Sequence, residues 1–376
     1  MEENTQKKKQ SKYDYKKIAL VLVGALIVVL IFIKLVMWIV SLIFGHGISS
    51  DVKLVHADAK SDYAYSVYDD GILYANSQSA KMYSNEGNYE SEVMFGAHNP
   101  FVDTCGDYAV LCDINSSKLA LLENKNNIGQ IEIKQPVMFA KVNSKGDVAA
   151  VTSEKGYKSA VYIYDKKGNE KYIWHSGSGY VADIELSENG KSFVVLAINT
   201  DNEKINTVVT WFDISKEKPY GQVIIPDCFA YRLVYDGDDA LVVANNGIYK
   251  TDYKEVTATA DFQGRILLCF DEDENGDIVT AQKITNSESC IVKYNKRLKE
   301  SFNKQIPFEA TALSCGGEKI AVSGTDNILV LKSGGGVYAL GNIVGSIDNI
   351  LMSEDGKRIF SFSEDKIKIH SIKLGR

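Results

Sequence analysis

From about residue 52 onward, apolar residues fall into short β-rich runs separated by polar turns that carry a glycine. Eight such turns recur, with Gly71, Gly106, Gly146, Gly190, Gly237, Gly276, Gly317 and Gly356 spaced 35, 40, 44, 47, 39, 41 and 39 residues apart. Each turn is followed by a β-branched or aromatic run at 72–75, 108–112, 148–152, 193–198, 241–245, 278–282, 320–323 or 359–362. Runs this short, bounded by turns, are the pattern of buried strands. A third run follows in register, clearest in Val161-Tyr162-Ile163-Tyr164-Asp165-Lys166-Lys167-Gly168, and residues 172–174 open a fourth.

Four strands every forty residues predict the blade of a β-propeller. An isolated four-stranded sheet leaves two apolar faces exposed, and a ring of neighbours covers both. The fold class expected is therefore all-β, an eight-bladed β-propeller, with seven blades as the alternative should the weak first repeat be irregular. The last repeat stops after its third strand, and residues 52–56 are expected to donate the fourth.

The N-terminal pattern is different. Between Ile18 and Phe44, twenty of 27 residues are Ile, Leu, Val or Phe and only Lys34 is charged. As a helix this stretch reaches roughly 40 Å, against a hydrocarbon core of roughly 30 Å. Lysines 7, 8, 9, 12, 16 and 17 precede it and 45–52 contain none, so the positive-inside rule puts the N-terminus inside. No small-x-small cleavage site follows, and no cysteine before Cys105 is present to accept a lipid. Lys34 either snorkels beside Trp38 or pairs with an acid in a partner helix. The expected domains are a cytoplasmic basic tail (1–17), a transmembrane helix (18–44), a juxtamembrane linker (45–51) and an extracytoplasmic propeller (52–376). The expected location is the bacterial cytoplasmic membrane, single-pass, with the bilayer and other envelope or membrane proteins as partners.

On these repeats the chain resembles WD-repeat and quinoprotein-like propellers over about residues 52–374. It also resembles an uncharacterised family of single-span membrane-anchored propellers from Gram-positive anaerobic bacteria. It departs from both repeat signatures. No Trp-Asp dipeptide occurs, Asp165-Lys166-Lys167-Gly168 lacks the quinoprotein threonine, and Trp174 lies six residues beyond the glycine rather than four. Quinone cofactor binding is not implied.

Charge sharpens the functional picture. The formal net charge is -7, and removing residues 1–45 leaves 35 basic and 46 acidic residues, a balance that disfavours nucleic acid. Lysine supplies nearly all the positive charge, arginine occurring only at 232, 265, 297, 358 and 376, as in proteins from AT-rich bacterial genomes.

Candidate chemistry is sparse. Asp271, Asp273, Asn275 and Asp277, with Gly276, follow the opening of a calcium loop, but position 12 is Gln282. A solvated strand connection is the competing reading, so Ca2+ is the one candidate ligand and no cofactor is otherwise expected. The six cysteines fit buried small hydrophobes better than a disulfide framework. The five histidines never approach zinc-ligand spacing. Neither a GxSxG elbow nor a phosphate loop occurs. Aromatics at the expected blade junctions, Trp174, His175, Tyr180, Phe229 and Tyr231, are candidates for partner binding, with packing between blades as the alternative. The functional expectation is a non-catalytic protein-interaction scaffold. An extracytoplasmic sensor for a small ligand or calcium is the alternative, and a propeller-type lyase or hydrolase is less favoured.

Overall fold

The computed structural model describes residues 15–44, 46–49, 53–56, 62–201, 204–343, 345–363 and 366–374. Two compact units are present, 1–47 with 373–376, and 48–372. Of the tail and linker expected at 1–17 and 45–51, residues 1–14, 45, 50 and 51 lie outside the described residues, and His46–Ile48 forms a strand.

In the first unit Tyr15–Phe44 forms one α-helix. Its described side chains from Leu22 to Lys34 are exposed. Among the described residues no helix is long and apolar enough to cross a membrane. The single-pass placement expected from residues 18–44, with its inside and outside assignments, is corrected accordingly: it is not supported.

The second unit is all-β, made of repeated four-stranded antiparallel sheets. Six follow in chain order, from Ala64 to Met94, Pro100 to Glu132, Val137 to Ser176, Tyr180 to Ile225, Ala230 to Asp261 and Leu267 to Ile306. A nine-stranded sheet completes the series. One half holds the four strands between Ala312 and Asn342, and the other holds Asn349–Met352, Arg358–Ser363, Lys366–Leu374 and Lys53–His56, with His46–Ile48 lying between the halves in the strand order. The fourth strand expected near residues 52–56 is therefore found: Lys53–His56 pairs antiparallel with Lys366–Leu374, Lys53 opposite Ile369 and His56 opposite Lys366.

Packing explains the sequence pattern. The second strand of each sheet has neighbours on both faces and an apolar middle, and in Gly71–Ala75 and Val148–Thr152 every residue is buried. Fourth strands face water on one side and alternate, as in Glu300–Ile306. An apolar cluster joins each sheet to the next, for example Val110, Leu121, Val137 and Val148 between the second and third. Burying one such Val or Leu contributes about 1.5–3 kcal/mol. The series closes on itself: Ile72 and Tyr74 of the first sheet pack with Phe360, Phe362, Ile367 and Ile369 of the last, and the Tyr65 and Phe362 rings stack at 3.6 Å.

The turn glycines do the work their spacing implied, with one exception. In the first turn Asp69 and Asp70 take the left-handed conformation, and Gly71 is needed because a Cβ there would meet the Tyr83 carbonyl. Gly317 combines both demands, with φ of +50° and a Cβ position 2.4 Å from the Asp355 backbone in the neighbouring turn. Gly317→Ala is expected to cost about 2 kcal/mol or more, since neither backbone can relax independently. Thermal denaturation checks this, and an unchanged melting temperature would count against the packing described.

Candidate functional site

Each inner strand pairs with its sheet on one side only, so its other edge leaves backbone N–H groups needing acceptors. Side chains from the preceding inner strand supply several. Asp103 Oδ2 accepts from the Val142 N–H at 3.0 Å, Asp183 Oδ2 from Leu233 at 2.8 Å, Asp271 Oδ2 from Cys315 at 2.8 Å, and Ser314 Oγ from Met352 at 3.0 Å. Between the first two sheets the Ser66 and Thr104 hydroxyls meet at 2.7 Å.

Basic residues alternate with these carboxylates. Lys141 Nζ lies 3.4 Å from Asp103, 3.8 Å from Asp183 and 3.3 Å from Glu185, with only 9% of its side chain exposed. Arg232 Nε lies 3.9 Å from Asp183. Around the inner strands the charges run Asp103, Lys141, Asp183 with Glu185, Arg232, Asp271 with Glu272, which is five acids to two bases. Burial pushes the Glu185 carboxyl up to about 7, partly opposed by Lys141. Burial likewise raises Asp103, Asp271 and Glu272. For Lys141 burial acts downward, but Asp103, Glu185 and Asp183 together outweigh it and the ammonium is held above its ordinary range.

Three cysteines share these strands. Burial and neighbouring acids push Cys105 to about 11 and Cys315 well up, and burial with Asp271 pushes Cys269 to about 12, so all three stay as thiols at neutral pH. All six cysteines are free. Elsewhere Ser361 Oγ and His370 Nε2 meet at 2.7 Å, but both side chains are sealed inside the last sheet. Burial lowers His370 to about 4.

The expected calcium-loop residues do not converge. Asp271 is committed to the Cys315 amide. Asp273 Oδ1 accepts from the Asn275 and Asp277 amides, forming an Asx turn. Lys293 Nζ lies 2.5 Å from Asp273 and 3.2 Å from Asp277, so its ammonium stands where a cation would. Among the described residues no group of three or more His, Cys, Asp or Glu side chains is placed to hold a metal ion.

The five junction aromatics divide. Trp174 sits in the outer strand Glu170–Ser176 and packs on Phe212 at 4.9 Å, in the cluster between the third and fourth sheets. His175, next in that strand, is 3.1 Å from Glu154 and against the Tyr157 ring. Tyr180, Phe229 and Tyr231 are 56%, 41% and 47% exposed. Antiparallel pairing puts the start of each inner strand and each second-to-third hairpin at the same end of a sheet. Tyr180, Phe229 and Tyr231 therefore share one face with Tyr157, Ile205 and Ile284, which are also exposed. Phe229 and Tyr231 meet edge to face at 5.4 Å, and Lys158 lies over Tyr180 at 5.1 Å.

Repeated four-stranded sheets that close on one another around charged inner strands define a β-propeller. Over residues 48–374 the sequence matches the family of unknown function DUF5711, and the chain belongs to that family. A search of curated proteins finds none that matches. The structure is similar to the C-terminal WD40 domain of Sif2, with a TM-score of 0.65 at 12% identity, covering 88% of this chain and 99% of that one. It is similar also to BamB from Moraxella catarrhalis, with a TM-score of 0.55 at 13% identity, covering 86% and 98%. At such identities the likeness is one of fold.

Proposed function

We propose that this protein is a non-catalytic interaction propeller, its nine-stranded sheet counting as two blades joined through His46–Ile48 and the whole as eight. The observation that carries the reading is the grouping of exposed Tyr180, Phe229 and Tyr231 on the loop-bearing face. Large aromatics among polar loops are the residues on which protein interfaces concentrate their energy. Two features weigh against catalysis as the main role. The inner-strand thiols are held protonated, and the serine–histidine contact is closed to substrate.

The test is capture of a protein partner by crosslinking from the native cell, with wild type beside Tyr180→Ala, Phe229→Ala and Tyr231→Ala. Central anchors commonly cost 2 kcal/mol or more on truncation, so at least one variant is expected to retain roughly thirtyfold less partner while melting like wild type. Equal retention by all three would remove this face from the proposal.

A further inference from the structure

The charged inner strands open, at the aromatic face, into a cavity of about 570 Å³ that shares Tyr231 with the docking aromatics but neither Tyr180 nor Phe229. Its walls are of three kinds. Leu267, Leu313 and Ile350 are apolar, Asp271 and Asp348 bring two carboxylates, and the partly exposed Tyr231 contributes an aromatic ring. Among the described residues no lysine or arginine lines it. Arg232, on the adjoining inner strand, lies 3.9 Å from Asp183, and its charge is also felt at Asp271 and Glu272.

We infer that this cavity is a binding site for a small organic cation, an amine or guanidine on an apolar body. A carboxylate inside a low-dielectric recess, with further acids on adjoining strands, focuses a negative potential that selects positive ligands. The Asp271 carboxylate accepts from the Cys315 amide and is helped by the Glu272 backbone, Arg232 and Ser314, yet burial still outweighs them, so a cation beside it supplies counter-charge that these partners leave incomplete. Tyr231 offers the ring face on which an ammonium group is held. The leucine and isoleucine walls favour a carbon skeleton over a bare metal ion, and two carboxylates are too few to satisfy a hard cation. The inference goes beyond the interaction reading and does not depend on it.

The experiment is calorimetric titration of the full chain with benzylamine and, separately, benzyl alcohol, its neutral counterpart of the same shape. Saturable benzylamine binding, at least tenfold stronger than that of the alcohol, is expected. Asp271→Asn, which keeps an acceptor for the Cys315 amide, is expected to weaken the amine at least tenfold and leave the alcohol unchanged. Asp348→Asn, at an exposed position that does not threaten folding, is expected to weaken the amine severalfold. Phe229→Ala is expected to leave amine binding intact, which separates this site from the docking face. Absence of benzylamine binding, equal binding of both probes, or an Asp348→Asn protein that binds the amine like wild type would overturn the assignment.

Discussion

Lys141→Met is expected to be severely destabilising, by about 3–5 kcal/mol at pH 7.5, because it strands three carboxylates around a vacated ammonium. The Lys141 side chain is 9% exposed, and its ammonium reaches Asp103, Asp183 and Glu185 within 3.8 Å. The effect carries a pH signature whose sign follows from Glu185, held near 7 in the folded protein. A carboxyl that binds its proton more tightly folded than unfolded contributes stability below about pH 4.5, and loses it as pH rises toward 7. Without Lys141 that loss deepens, since the main opposing charge is gone. The gap between variant and wild type is therefore expected to be widest at pH 7.5 and to narrow at pH 5.5. Urea unfolding at the two pH values checks this. A variant as stable as wild type, or a gap independent of pH, would show that the ring of charges is not an energetic unit.

The second large effect concerns ring closure. A chain beginning at residue 62 loses His46–Ile48 and Lys53–His56, and with them the pairing on one edge of Lys366–Leu374. Ile367 and Ile369, now 1% and 4% exposed, lose cover, and a sheet edge opens to other molecules. The expected cost is about 3 kcal/mol or more, together with concentration-dependent association. A chain beginning at residue 46 keeps both N-terminal strands and is expected to unfold at the wild-type urea concentration. If the shorter chain matches it in both midpoint and solution size, the clasp has no role in stability.

The fold was legible because its determinants are local. A turn needs a residue tolerant of positive φ, and Gly106, Gly146, Gly190, Gly237, Gly276, Gly317 and Gly356 all adopt it. Buried second strands must be apolar on both faces, and these runs stand out against polar surroundings. The clasp was legible for a topological reason: a last repeat with three strands leaves one edge needing a partner. The helix at Tyr15–Phe44 was legible too, but the bilayer placement inferred from its composition was not supported.

The charged inner strands were missed because each residue looks unremarkable within its own repeat. Asp103, Lys141, Asp183, Arg232 and Asp271 are separated by 38, 42, 49 and 39 residues, which is the repeat period itself. The available signal was a charge recurring at one phase inside first strands that should be apolar, with the sign alternating from repeat to repeat. The acidic run at 271–277 left two readings open for the opposite reason. Its spacing imitates a calcium loop, while the lysine that answers it, Lys293, comes from the third strand of the sheet. Trp174 looked like a junction residue, yet its strand position turns the ring inward onto Phe212.

The central claim is that the first and last sheets touch, closing the ring. Asn349 Nδ2 donates to the Tyr65 hydroxyl at 2.8 Å across 284 residues of sequence. A double-mutant cycle with Tyr65→Phe and Asn349→Ala measures that contact directly. Closure predicts a coupling energy of about 1 kcal/mol; strictly additive effects of the two substitutions on unfolding would contradict it.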